Sequence, residues 1–454
     1  MQTIQRKTNK ATAAKGSAKA KEALSVLKNY ILEDGFKFTI DLNKSHDCYL
    51  YDSYNDREIL DLFSYFATNA LGHNHPKMLR DEKLKRNMLE AAYENPSNSD
   101  FYTQQYVDFL KVFGRVAMPK PFKHVFFISG GTLAVENGLK VAMDWKVKKN
   151  FEKGHKKEKG HQVIHFKQAF HGRSGYTMSL TNSKPVQTDY FAKFEWPRID
   201  NPKIEFPLTE DSLKQLVKKE EKAVKQIKKA IKANKDDICA IIIEPIQSEG
   251  GDNHFRAEFL QQLRHIADKH EIMLIFDEVQ NGVGLTGQFW AYQNFNVVPD
   301  ILCFGKKMQT CGIIVTGRVD EVKDNCFSVP GRINSTWGGN LADMVRAQKI
   351  LEIIEEDRLV ENARTMGKYF LDKLIALSKK HKITNARGRG LQCAFDLPTP
   401  KLRDELIKAA LRNNLLLLAA GERSIRVRPA LVIQKKHIDK AFVIIEKTLG
   451  EMGL

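Results

Sequence analysis

The 454-residue chain has only six cysteines, and no two of them form a CxxC pair. A secreted disulfide scaffold needs a higher cysteine density, so we expect reduced thiols and a cytoplasmic location. The N-terminus has no apolar segment of the kind found in secretory signal peptides. The longest purely apolar runs, such as LLLLAA (415–420), are far shorter than a bilayer-spanning helix requires. These absences predict a soluble globular protein.

The sequence also lacks the signatures of two common kinds of catalytic site. There is no GxSxG elbow, which argues against a serine hydrolase of the α/β type. His73 and His75 form an HxH pair, but Pro76 follows them and no acidic partner motif lies nearby. Because such a pair in a loop is mostly structural, we predict no metal site.

Positive charge is in excess, with 72 Lys and Arg against 55 Asp and Glu and a formal net charge of +17. The excess lies in residues 1–21, 146–159 and 214–235, which contain no candidate site residue. We interpret residues 1–21 as a mobile basic tail, with a mitochondrial targeting segment as the alternative. Apolar residues of 213–231 recur at helical spacing between lysines, which favours a solvated surface helix. A basic nucleic-acid-binding protein is the rival hypothesis that this charge suggests.

Alternating strand and helix patterns predict an α/β fold. Near-continuous apolar runs at 238–244 and 272–277 flank a segment of helical period at 259–270, which indicates a βαβ unit with buried parallel strands. We expect a large domain with a mostly parallel sheet covered by helices, plus a smaller α+β domain. The predicted division assigns the large domain to 76–345 and the small domain to both chain ends, 22–75 and 346–454.

The candidate chemistry lies where apolar strands end, because ligands of doubly wound sheets bind beyond the carboxyl ends of the strands. The run HVFFI (124–128) is followed by SGGT (129–132). Backbone N–H groups at such a helix start suit a phosphate or carboxylate, although many Gly-rich turns are only turns. The run QVIHF (162–166) leads to FHGR (170–173), where an aromatic ring can stack on a flat ligand and an arginine can bind a carboxylate.

Two further strand ends provide an acid and an amine. Asp277 ends an apolar strand, where its charge is costly unless a cation such as a protonated heteroaromatic nitrogen meets it. Lys306 and Lys307 follow the apolar run 301–305, and a lysine in a dry site can have a lowered pKa and form a Schiff base. A phosphate cradle, a stacking aromatic, an acid for a ring nitrogen and a strand-end lysine are the parts that pyridoxal phosphate (PLP) requires.

These motifs resemble those of the class III (ω-amino acid) aminotransferases, which are fold type I PLP enzymes. The matching stretches occur in family order: LGHNHP (71–76), SGGTLAVENGLK (129–140), FHGR (170–173), EPIQSEGG (244–251), DEVQNGVGLTG (277–287) and PDILCFGKK (299–307). Within the family, INSTWGGN (333–340) and SIRVRPALVI (424–433) are most similar to members that act on the ε-amine of L-lysine. Members that act on ornithine or 4-aminobutyrate are the alternative.

The resemblance implies a set of cofactor contacts. Lys306 would form the Schiff base, with Lys307 as the alternative. Asp277 would pair with the pyridinium nitrogen, and Gln280 would touch the ring hydroxyl. Further residues would hold the phosphate, stack on the ring or reach the phosphate of a neighbouring subunit: Gly131 and Thr132, Phe170 and His171, and Thr336.

The resemblance also implies how substrates bind. Arg173 would bind the α-carboxylate of L-lysine, and Arg426 that of 2-oxoglutarate, with Arg428 as its rival. Glu249 would neutralise Arg426 while lysine is bound, and Asn334 would lie near the substrate. The expected products are 2-aminoadipate 6-semialdehyde and L-glutamate, made by a homodimer or higher homo-oligomer with shared active sites. No membrane or nucleic-acid partner is expected.

Overall fold

The computed structural model describes Ala20 and residues 22–454. The predicted basic tail at 1–21 therefore lies outside the described residues apart from Ala20. None of the helices in the described part of the chain has the length and apolar character that crossing a bilayer requires.

Short strands form one large sheet and three smaller ones. In chain order the strands are β1 (Tyr49–Asp52), β2 (Arg57–Asp61), β3 (Phe122–Ile128), β4 (Gln162–Phe166), β5 (Arg198–Ile199), β6 (Ile238–Ile243), β7 (Ile246–Gln247), β8 (Asn253–His254), β9 (Met273–Asp277), β10 (Ile301–Phe304), β11 (Cys311–Thr316), β12 (Thr384–Arg389), β13 (Gln392–Asp396), β14 (Leu415–Leu416), β15 (Leu418–Ala420) and β16 (Ser424–Val427).

Helices connect and cover these strands. After residue 75 the α-helices are α1 (Pro76–Leu79), α2 (Glu82–Glu94), α3 (Gln104–Val116), α4 (Gly131–Glu152), α5 (Gly175–Leu180), α6 (Glu210–Ala233), α7 (Ala257–Lys269), α8 (Leu341–Glu356), α9 (Leu359–Ser378), α10 (Pro400–Arg412) and α11 (Lys435–Glu451).

The large sheet has the strand order β3-β11-β10-β9-β6-β4-β5. Strand β11 runs antiparallel to both of its neighbours, and the other neighbouring pairs are parallel. The mostly parallel sheet expected from the apolar runs is therefore confirmed. Because β4, β6, β9 and β10 share one direction, the segments that follow them meet at one edge of the sheet.

Both faces of the large sheet are buried, which explains why its strands are apolar at successive positions. In β6, Ala240 and Ile242 belong to the core on the α4 face, whereas Ile241 and Ile243 belong to the core on the opposite face with α7. Alternate side chains of a strand point to opposite faces, so only an uninterrupted apolar run can satisfy both. Each fully buried aliphatic side chain contributes roughly 1.5–3 kcal/mol to folding.

The smaller sheets bring both ends of the chain together. Strand β14 pairs in parallel with β2, so a segment near the C-terminus completes a sheet begun near the N-terminus. Strands β12, β13, β16 and β15 form an antiparallel sheet next to α9. A smaller α+β unit therefore accompanies the large sheet, as expected. The predicted boundary at 345/346 falls inside α8, and the division into 76–345 and the chain ends stays a prediction.

Candidate active site

A cavity of about 450 Å³ opens at the carboxyl ends of the parallel strands. Segments that follow β3, β4, β6, β9 and β10 form its walls, so the structure brings together the strand ends in which the sequence placed the chemistry. The predicted site residues that line it are Gly131, Thr132, Phe170, His171, Glu249, Asp277, Gln280 and Lys306.

The start of α4 forms one end of the cavity. Gly131 is the first residue of this helix, and a Cβ atom there would lie 2.8 Å from Cγ1 of Val279. Only glycine allows the helix start to approach the segment after β9 this closely. The backbone N–H groups of a helix start, reinforced by the helix dipole, favour an anion. This end of the cavity, with Thr132 beside it, therefore fits a phosphate group.

Asp277 is a buried acid at the end of β9, only 5% exposed. Its Oδ2 lies 2.8 Å from Nδ1 of His171, and its Oδ1 accepts the N–H of Val279 at 3.1 Å. The contact with His171, for which the sequence predicted stacking on a ring, orients the carboxylate. An oriented buried carboxylate suits a cationic ring nitrogen.

Glu244 lines the same cavity but received no role from the sequence. Its two carboxyl oxygens accept the N–H groups of Phe170, at 3.0 Å, and Ser248, at 2.9 Å. Burial raises the pKa of Glu244 to about 7. This side chain therefore fixes the backbone that presents Phe170 to the cavity.

The structure separates the two candidate lysines. Lys306 lines the cavity, and its Nζ donates to the carbonyl of Phe66 at 3.2 Å. Burial and, next, the charge of Arg426 lower the pKa of this amine to about 8. Lys307 is buried outside the cavity lining, and its Nζ donates to the carbonyl of Ala67 at 2.8 Å. The geometry therefore favours Lys306 as the reactive amine.

A left-handed turn at Ser64–Ala67 faces Lys306. All four residues have positive φ, from 48° to 70°, and none is glycine. This conformation costs an L-residue roughly 1–2 kcal/mol, so the surroundings must hold the turn in place. At its start, Oδ1 of Asp61 accepts the N–H groups of Phe63 and Ser64, both at 2.8 Å. Strained backbone of this kind clusters at functional sites.

Glu249 and Arg426 form an ion pair at the cavity wall. Arg426 is fully buried and also donates to Oε1 of Gln280 at 3.0 Å, while Lys184 contacts the other oxygen of Glu249 at 2.8 Å. Burial acts to raise the pKa of Glu249, but Arg426 and Lys184 outweigh it and hold the pKa below its usual value. Glu249 therefore covers Arg426 from the cavity.

Arg428, the rival to Arg426, pairs with Asp252 and does not line the cavity. Three other predicted residues also lie outside the lining and are exposed on this chain: Arg173, Asn334 and Thr336. Their proposed contacts with substrate or with a neighbouring subunit stay predictions.

Several residues of the cavity were not assigned by the sequence, namely Thr68, Gly172, Glu244, Val279, Gln309 and Cys311. Gly172, Glu244 and Val279 lie within motifs that the sequence singled out, so proximity was a usable signal for them. Thr68 comes from a distant segment, and no local pattern indicates its position.

Comparisons with known proteins agree with this geometry. The family model described as aminotransferase class-III matches residues 31–449. The L-lysine-epsilon aminotransferase of Mycobacterium tuberculosis (strain ATCC 25618 / H37Rv) is 46% identical over 426 residues, covering 93% of this chain and 94% of that protein. The L-lysine-epsilon aminotransferase of Streptomyces clavuligerus is 43% identical over 429 residues, covering 94% and 93%. A solved structure of the lysine aminotransferase from M. tuberculosis in the internal aldimine form has a TM-score of 0.92 at 45% identity, covering 95% of this chain and 99% of that one.

Proposed function

Because this chain belongs to the class III aminotransferase family, we propose that it transfers the ε-amino group of L-lysine to 2-oxoglutarate, giving 2-aminoadipate 6-semialdehyde and L-glutamate. The observation that carries the proposal is the Glu249–Arg426 pair in the cavity that holds Lys306. Similarity to relatives named for lysine supports the choice of amino donor.

One pocket must accept two substrates that differ in charge next to the reacting carbon, and the Glu249–Arg426 ion pair would make this possible. The reacting carbon of lysine bears no carboxylate, whereas the keto carbon of 2-oxoglutarate has one attached. Glu249 neutralises Arg426 while the amine is bound, so no buried cation is left unpaired. When Glu249 turns away toward Lys184, Arg426 can bind the α-carboxylate of the oxo acid in a bidentate manner.

We propose PLP as the cofactor, because the residues present fit it. The close approach at Gly131 leaves a helix start that suits the phosphate, and the buried Asp277 suits the pyridinium nitrogen. Phe170 would stack on the ring, and Gln280 would lie beside its hydroxyl. When bound, PLP supplies an electron sink for the carbon that carries the amine.

Lys306 would bind the cofactor and then move the proton of the reacting substrate carbon. With a pKa of about 8, its Nζ can release and accept a proton near neutral pH. At the outer end of the substrate, Arg173 would bind the α-carboxylate of lysine. Thr336 and Asn334 are exposed on this chain, so we propose that they serve the site of a second subunit.

The test is glutamate formation from 2-oxoglutarate with L-lysine, L-ornithine or 4-aminobutyrate as the amino donor. We expect kcat/KM for lysine to exceed that for ornithine by about tenfold or more, because one methylene in a fitted pocket changes kcat/KM by that order. A higher value with either other donor would overturn the choice of lysine. Absence of glutamate with all three would overturn transamination.

A further inference from the structure

Three successive backbone carbonyls of the left-handed turn and its exit are bound by one short segment of chain. Lys306 donates to the carbonyl of Phe66 at 3.2 Å, and Lys307 donates to that of Ala67 at 2.8 Å. Gln309 donates to the carbonyl of Thr68 at 2.7 Å. The segment that holds the reactive amine therefore also holds the wall that faces this amine.

Lys307, unlike Lys306, has no part in the proposed chemistry. It is 1% exposed, and in the described part of the chain it pairs with no carboxylate. Burial, followed by the charges of Arg428 and Lys306, moves the pKa of its amine well below the usual value. A buried amine needs a hydrogen-bond partner in either protonation state, and the carbonyl of Ala67 is that partner.

The turn and its exit lie beside the reactive amine at the border of the cavity. The ring centroid of Phe66 lies 5.7 Å from Nζ of Lys306, and Thr68 lines the cavity. An imine nitrogen has at most one N–H, so Lys306 would give up its bond to the carbonyl of Phe66 while it is joined to the cofactor. The turn and its exit would then lose one of the three carbonyl bonds that residues 306–309 make to them.

We propose that Lys307 is a positioning residue for the amino donor. Through the Ala67 carbonyl it keeps the strained turn Ser64–Ala67 in place while Lys306 is engaged in chemistry. Phe66 and Thr68 thereby stay aligned with the reactive amine throughout the cycle. This role rests on the transamination proposed above, whereas the contact that underlies it does not.

The first test uses the variant Lys307→Met, which keeps a long side chain and removes the donor. In the ligand-free protein we expect hydrogen exchange of the Thr68 and Asn69 amides to rise about tenfold, because both bond to the Ser64 carbonyl across the turn. In the loaded enzyme we expect KM for L-lysine to rise severalfold more than kcat falls.

Lys146→Met is the matched control. Lys146 is also a buried lysine, 2% exposed, whose Nζ donates to one backbone carbonyl, that of Glu271, at 2.9 Å. It lies outside the cavity lining, so its loss should change neither the exchange at the turn nor KM for lysine. Lys307→Gln retains a shorter donor and should restore part of both effects, and it replaces the Met variant if that protein does not fold.

Unchanged exchange at Thr68 and Asn69 in both Lys307 variants would overturn the positioning role. So would equal changes in Lys307→Met and Lys146→Met, since these would show general destabilisation. Exchange is measured without cofactor or substrate, so it reports on Lys307 even if the wild-type protein fails to transaminate lysine.

Discussion

The amine of Lys306 lies on a backbone with φ of 49°, a left-handed conformation that a non-glycine residue rarely adopts. The side chain of Lys306 lines the cavity, whereas that of the next residue, Lys307, is buried outside the lining. We expect Lys306→Ala to remove transaminase activity and the visible absorption band of the protein mixed with PLP. Absorption spectra with and without L-lysine would check this, with Lys146→Ala as the control. A band that persists in Lys306→Ala would contradict the assignment.

The lowered pKa of Lys306 predicts how cofactor capture depends on pH. An amine attacks a carbonyl only when it is neutral, so protonation below a pH of about 8 should slow the reaction with PLP. The rate at which the visible band appears in the ligand-free protein should rise with pH and level off above about 8. A midpoint near 10.5, the ordinary lysine value, would show that burial does not act on this amine.

Glu249→Gln should shift the preference of the pocket from the amine to the oxo acid. The variant leaves Arg426 without its negative partner, and a charged hydrogen bond of this kind is worth about 1.5–3 kcal/mol. We expect KM for 2-oxoglutarate to fall and KM for L-lysine to rise, each by about tenfold. Lys184→Gln is the control, because it breaks the other contact of Glu249 and should have the smaller effect. KM values that change in the same direction for both substrates would contradict the proposed role of Glu249.

The sequence predicted the charged site residues at strand ends, but it did not predict which residues contact them. Asp277 and Lys306 are identifiable because an acid or a lysine ends an apolar run. The pairing of Lys184 with Glu249 joins residues 65 positions apart, so no local pattern reveals it. Glu244 was quoted within a motif, but its bond to the N–H of Phe170 depends on the packing of two strands.

At the scale of elements, hydrophobic periodicity predicts the regular strands and helices but does not predict the strained turn. The runs of β6 and β9 follow from burial on both faces, and their direction follows from the helix between them. The left-handed turn at Ser64–Ala67 contains no glycine, so its sequence gives no signal for positive φ. Its conformation depends on Asp61 and on the carbonyl bonds from the segment after β10, which are contacts between distant parts of the chain.

The junction of α8 and α9 offers a test of backbone strain outside the site. Arg358 lies between these helices with φ of 50° and is exposed. Arg358→Gly should raise the free energy of unfolding by about 0.5–1 kcal/mol, because glycine adopts this conformation without a Cβ clash. Lys379→Gly, at the end of α9 where φ is −81°, should lower it instead. Thermal unfolding would measure these opposite changes in the free energy of unfolding. Changes of the same sign in both variants would show that the backbone at Arg358 is not strained.

At the scale of the whole molecule, the lysine-rich segments 146–159 and 214–235 lie away from the cavity. Helix α4 begins at the cavity and runs 22 residues, or about 33 Å, toward the opposite edge of the large sheet. There the loop after α4 meets the loop after α6, where the N–H of Gly160 bonds to Oδ1 of Asp237 at 2.7 Å. The lysines of 146–159 and 214–235 therefore gather around this distant edge and along α6. Amino-acid composition alone does not show that these lysines lie away from the cavity.

Neutralising part of α6 should therefore change retention on anionic supports without changing catalysis. Lys218, Lys225 and Lys229 are exposed on one face of this helix and lie outside the cavity lining. At physiological ionic strength the Debye length is about 8 Å, so their charges should not reach the cavity. The triple Lys→Gln variant should elute from immobilised nucleic acid at lower salt and keep kcat/KM for both substrates within about twofold of wild type. A fall in kcat/KM for 2-oxoglutarate that disappears at high salt would show instead that this face steers the anionic substrate toward the cavity.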